Sequence, residues 1–129
     1  RYRLEERIGS GGMSSVYRAF DSTLERDVAI KLMHLEIAED SDQLMRFKRE
    51  ARSVAALSHP HIVTVIDFGE DHERPYIVLE LIEGQTLKQR IQAEGRLGIS
   101  EALAYAIEVG RALVCAHDEG IVHRDVKPG

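Results

Sequence analysis

Only one cysteine, Cys115, occurs among the 129 residues. That excludes an internal disulfide framework and a cysteine-rich zinc site, and a lone thiol suits a reducing compartment such as the cytoplasm. No apolar run approaches the roughly 18 residues of a membrane span, so no membrane contact is expected within this segment. The opening residues, Arg1-Tyr2-Arg3-Leu4-Glu5-Glu6, hold no apolar core of a signal peptide. Basic residues are outnumbered, 17 against 22 acidic, for a formal net charge of −5. Nucleic acid and anionic membrane surfaces call for a basic patch, so neither is an expected partner. Repeats, low-complexity segments and proline-rich linkers are also missing. What is present is a 43% hydrophobic composition, enough for a real core in one domain.

The pattern changes character near Glu83-Gly84. Before it, short apolar runs alternate with turns. Strands are predicted over Tyr2 to Ile8, Ser15 to Phe20, Asp27 to Met33, Ile62 to Phe68 and Tyr76 to Leu81. The turn Gly9-Ser10-Gly11-Gly12 joins the first two as an antiparallel hairpin, and Gly69-Glu70-Asp71-His72 separates the last two. Leu44, Phe47, Ala51, Val54 and Ala55 recur at helical spacing within Asp40 to Leu57, with Asp40 and Gln43 placed for a capping box. After the boundary, Thr86 and Gln89 cap a short helix to about Glu94. Ser100 is placed to cap a long helix to about Glu119, with Gly120 as its C-terminal glycine. Leu103, Ala106, Ile107, Gly110, Leu113, Val114 and His117 form its continuous stripe. The expected class is α+β: five strands with one inserted helix, then helices, divided as residues 1–83 and 84–129.

Four constellations carry chemistry. Gly9-Ser10-Gly11-Gly12 lets backbone N–H groups approach phosphate oxygens. A dinucleotide fingerprint needs a helix directly afterwards. Val16-Tyr17-Arg18-Ala19-Phe20 reads as a strand, which points to a flap between two strands. In Val28-Ala29-Ile30-Lys31, strand alternation puts Ala29 and Lys31 on one face, where a small residue leaves room for a flat ring and the lysine supplies charge. The alternative is a solvent-facing lysine. Glu50 lies at the margin of the helical stripe and can pair with Lys31, or at the surface with Arg46 or Arg49. The remaining histidines, His34 among them, read as turn or core residues. Finally, His123-Arg124-Asp125-Val126-Lys127-Pro128 gathers four polar side chains in a proline-stopped loop. An aspartate there can accept a hydroxyl proton, and a lysine two residues on can neutralise a transferring phosphoryl group.

Taken together and in this order, these residues resemble a protein kinase of the bacterial branch of the eukaryotic-type serine/threonine kinases. The resemblance runs along the whole chain. It implies a kinase small lobe over 1–83 and the start of the large helical lobe over 84–129. It implies transfer of the ATP γ-phosphate to serine and threonine hydroxyls of protein substrates, with Mg2+, or Mn2+ in its place. By position, Ile8, Gly9, Ser10, Gly11 and Gly12 would cover the ATP phosphates, and Val16 and Ala29 would sandwich the adenine. Lys31 would hold the α- and β-phosphates and pair with Glu50. Leu79 would back the pocket, and Glu80 and Ile82 would meet the adenine edge through a hinge. His123, Arg124 and Asp125 would form the catalytic-loop triplet with Asp125 as base. Arg124 would face a phosphorylated activation loop, and Lys127 is the serine/threonine-type signature.

Two departures stand out. Ser14 occupies the usual third glycine of the flap, a change seen in bacterial members. The magnesium-binding asparagine and the Asp-Phe-Gly motif would both lie beyond Gly129, so no metal ligand is expected in this stretch. The expectation is a fragment, about half of a kinase domain and inactive alone. Its parent would be cytoplasmic, or membrane-anchored with the kinase domain in the cytoplasm, and open to dimerisation. The alternative is a non-catalytic kinase-like regulatory or scaffold module. The presence of Lys31, Glu50 and Asp125 argues against it.

Overall fold

The computed structural model describes residues 1–129. The chain packs as two compact units, Arg1–Ser58 with Val63–Ile82, and His59–Ile62 with Glu83–Gly129.

The first unit is a five-stranded antiparallel sheet with helices on one face. Its strands are β1 (Tyr2–Ser10), β2 (Ser14–Asp21), β3 (Arg26–Met33), β4 (Val65–Asp71) and β5 (Arg74–Glu80), in the order β1-β2-β3-β5-β4. Alternation along the strands divides the apolar residues between two faces. Ala19, Val28, Ile30 and Val78 form one buried cluster. Met33 and Ile77 face the other way and pack with Phe47 and Ala51 of helix α2 (Ser41–Ala55). Asp40 caps α2, its carboxylate accepting from the N–H groups of Asp42 and Gln43. The helix ends at Ala55, two residues short of the expected Leu57.

Three expectations in this unit need correction. A one-turn helix, α1 (Leu35–Ala38), precedes α2 and has no apolar period long enough to announce it. Strand β4 begins three residues later than expected, because Ile62 closes a turn onto the His59 carbonyl. Gly69 and Glu70 therefore belong to the strand and not to the turn. The β4–β5 turn is the pair His72-Glu73, both at positive φ (46° and 62°). A two-residue hairpin loop wants that twist, which Asn-Gly signals far better than His-Glu. Gly69 has a packing reason: a Cβ there would overlap the ring of its cross-strand partner Tyr76.

The second unit holds α3 (Leu87–Glu94) and α4 (Ile99–Asp118). Thr86 and Gln89 form the expected reciprocal capping box on α3. Helix α4 is capped at Gly98 with no side-chain bond, so Ser100 lies inside the helix and not at its cap. At the other end, Gly120 sits at φ 73°, its N–H reaching the His117 carbonyl while Ile121 reaches Ala116. Those two bonds satisfy carbonyls the helix leaves open. The apolar stripe of α4 is largely exposed. Ala112 and Ala116 are buried, whereas Leu103, Ile107 and Val114 are 58%, 55% and 59% exposed.

Candidate functional site

The flap hangs between β1 and β2. Gly9 pairs with Val16 and Ser10 with Ser15, and the tip closes with Gly11 N–H donating to the Ser14 carbonyl at 2.8 Å. Ile8, Ser10, Gly11 and Gly12 are exposed, and a Cβ at Gly12 would meet nothing. The tip thus presents open backbone, the surface a phosphate chain needs.

Register places the rest. Val16 lies opposite Lys31, and Ala29 lies opposite Leu79. Paired residues share a face, and Leu79 packs on the α2 cluster, so Val16, Ala29, Lys31 and Leu79 all belong to the α2 side. From α2, Glu50 Oε1 meets Lys31 Nζ at 2.5 Å. The open choice among Lys31, Arg46 and Arg49 is settled in favour of Lys31 by this geometry. The two side chains are 25% and 46% exposed, and a pair so open to water adds at most about 1 kcal/mol of stability. Its consequence is orientation: the ammonium is fixed near the Phe47 ring, 5.7 Å from its centroid. Further along, the Glu80 carboxylate accepts from the Thr64 N–H at 2.6 Å, while Ile82 is exposed.

The second group lies in the other unit. Lys127 Nζ meets Asp125 Oδ2 at 2.6 Å, and the Asp125 N–H donates to His123 Nδ1 at 3.2 Å. The Lys127 hydrogen bond and charge hold the Asp125 carboxyl below its ordinary value, so it is ionised at neutral pH. Arg124 occupies a left-handed backbone conformation, φ 63°. The loop is tied down where the Pro128 carbonyl accepts the Lys88 N–H at 2.8 Å, satisfying a first-turn amide of α3. Gly129 packs so closely on Lys88 that a Cβ would lie 2.8 Å from the lysine's own. No group of three or more His, Cys, Asp or Glu side chains is arranged to hold a metal ion. No helix is long and apolar enough to cross a membrane.

One contact had no signal in the sequence. The Ser15 hydroxyl lies 3.0 Å from His34 Nε2, joining the stem of the flap to the residue that starts α1.

The chain thus combines a five-stranded antiparallel sheet with a glycine flap, a strand lysine paired to a helix glutamate, and a His-Arg-Asp loop after a long helix. The Protein kinase domain matches residues 2–129, and the chain belongs to the protein kinase family. It is 46% identical over 128 residues to the serine/threonine-protein kinase PrkC of Bacillus subtilis, covering 99% of this chain and 20% of that protein. It is 43% identical to the serine/threonine-protein kinase PknA of Mycobacterium tuberculosis, covering all of this chain and 31% of that one. Among solved structures, the Mycobacterium tuberculosis PknI kinase domain superposes with a TM-score of 0.82 at 32% identity, over 98% of this chain and 52% of that one. The chain thus spans a fifth to a third of these curated relatives. The five-stranded sheet and the helices after it correspond to the small lobe and the start of the large lobe of a kinase. Protein kinases as a family use ATP and a divalent metal ion.

Proposed function

We propose that this chain is the ATP-binding half of a longer bacterial protein serine/threonine kinase. The observation that carries the reading is the Lys31–Glu50 pair on the same sheet face as Ala29 and Leu79, beside an open glycine flap. These residues suit a nucleotide. Ala29 leaves room for a flat base, Val16 and Leu79 line it with apolar surface, and Glu80 and Ile82 offer backbone groups to its edge. The flap from Ile8 to Gly12 offers N–H groups to phosphate, and Lys31, held by Glu50, offers the cation.

In the His123–Lys127 loop, the ionised Asp125 is the acceptor for the proton of a protein serine or threonine hydroxyl. Lys127 neutralises Asp125 in the structure. With a phosphoryl group at hand, the same ammonium has a second anion to serve. Arg124 would then pair with a phosphorylated segment. The residues present form no metal site, and no step is derived through a metal ion.

The test is made in that longer protein. Lys31→Met should abolish phosphoryl transfer to a protein substrate while the circular dichroism spectrum and melting stay near wild type; unchanged turnover rejects the phosphate-holding role. Asp125→Asn should lower kcat by about a thousandfold or more with ATP affinity little changed, because the base acts on the hydroxyl. ATP binding without any transfer by the wild type would instead favour the non-catalytic module.

A further inference from the structure

His34 is the residue on which the flap and the helical segment meet. Its backbone N–H donates to the Met13 carbonyl at 3.0 Å, which extends the β2–β3 ladder by one bond beyond the last pair, Ser14 with Met33. Its ring Nε2 lies 3.0 Å from the Ser15 hydroxyl. Its carbonyl accepts from the Ile37 and Ala38 N–H groups and so opens α1. A residue at a helix N-cap ordinarily turns its side chain to the helix amides. Here the imidazole makes no capping bond and goes to the flap instead. Ser15 is buried, and a buried hydroxyl needs a partner. The tip itself closes through the Gly11–Ser14 bond, and a Cβ at Gly12 would meet nothing.

We propose that His34 is a positioning residue for the glycine flap. Through Ser15 it fixes the descending stem, Met13 to Ser15, relative to the α1–α2 segment that carries Glu50. Flap and Lys31–Glu50 pair are thereby held in one register toward the same phosphates. The inference rests on the nucleotide-binding reading above for its consequence, though not for its geometry. Neither His34 nor Ser15 touches nucleotide in this reading. Their loss should therefore weaken ATP capture and leave the chemical step alone.

The experiment uses Ser15→Ala, His34→Ala, the double variant and His34→Gln in the longer kinase. Glutamine places an amide near the position of Nε2 and should restore the link. Two readouts are taken. Amide hydrogen exchange without nucleotide reports the anchor: Gly11 to Ser15 should exchange faster in both alanine variants, with β4 and β5 unchanged. Steady-state kinetics reports the consequence: KM for ATP should rise about five-fold in each alanine variant, with kcat within about two-fold, as the loss of one hydrogen bond predicts. The double variant should be no worse than either single one, since both remove the same bond. Unchanged exchange at the flap overturns the anchor. Faster exchange with an unchanged KM, additive effects, or no rescue by glutamine overturns the positioning role. A wild-type protein that binds no ATP, with the exchange result intact, brings down the nucleotide reading and not the anchor.

Discussion

Truncating Phe47 to alanine should unfold the first unit at a much lower temperature and release the Lys31–Glu50 pair with it. The ring is 1% exposed and packs with Met33, Ala51 and Ile77, with Leu44, Val65 and Leu79 around it. Such a truncation costs about 3–5 kcal/mol, and the spread depends on how far the site can collapse. Collapse is limited here. Ile77 sits in β5, which is paired on both sides, so the floor cannot rise. The helix is pinned at its start by Asp40, and its next inward residue, Ala51, is already small. A cost of about 4 kcal/mol is a large part of the 5–15 kcal/mol that holds a typical domain. For a unit of this size it corresponds to a fall in Tm of about 15–30 °C. Phe47→Leu keeps most of the volume and should cost only about 1–1.5 kcal/mol. Thermal melts followed by far-ultraviolet circular dichroism measure both. A fall of less than about 5 °C for the alanine variant would refute the claim that this ring docks α2 to the sheet.

Two further outcomes are expected. Buried Asp21 accepts from Arg1 and from the Thr23 and Leu24 N–H groups, and these donors, Arg1 foremost, lower its carboxyl to about 2 from an ordinary 3.8. A lowered folded-state value means its stabilisation is present above pH about 4 and lost as pH falls through about 2. Asp21→Asn should therefore flatten stability across that window in acid unfolding curves, and an unchanged acid limb would contradict the assignment. Separately, the exposed Leu103, Ile107 and Val114 on α4 should make this 129-residue chain self-associate. Light scattering should show mass rising with concentration, and less so for Ile107→Glu; a chain that stays monomeric throughout excludes that face as adhesive.

The Lys31–Glu50 pair could be read from the sequence because it depends on strand alternation and helix phase, both local properties. Ala29 and Lys31 share a face by period two, and Glu50 follows Phe47 by one helical turn at the margin of the buried stripe. Joining the two needed only the statement that α2 covers the Lys31 face. The His72-Glu73 turn was illegible for a local reason: neither residue favours positive φ, so the hairpin geometry overrides the usual turn chemistry. The link between Ser15 and His34 was illegible for a different one. A serine and a histidine 19 residues apart carry no period, and only the β2–β3 register brings them together.

Helix α4 shows where pattern reading reaches its limit. Its apolar residues surround most of the helix, so periodicity can rank several faces without deciding which one is covered. The stripe through Leu103, Ile107 and Val114 holds bulky apolar side chains and is left exposed. The buried positions are instead Ala112 and Ala116, while Arg90 of α3 reaches Tyr105 and Glu101 on the protected side. Arg90 thus places a polar cluster on the side of α4 where Ala112 and Ala116 lie, and hydrophobic bulk does not mark the covered face. Leu103, Ile107 and Val114 stay exposed, which is why that face, and not the covered one, carries the self-association expected above.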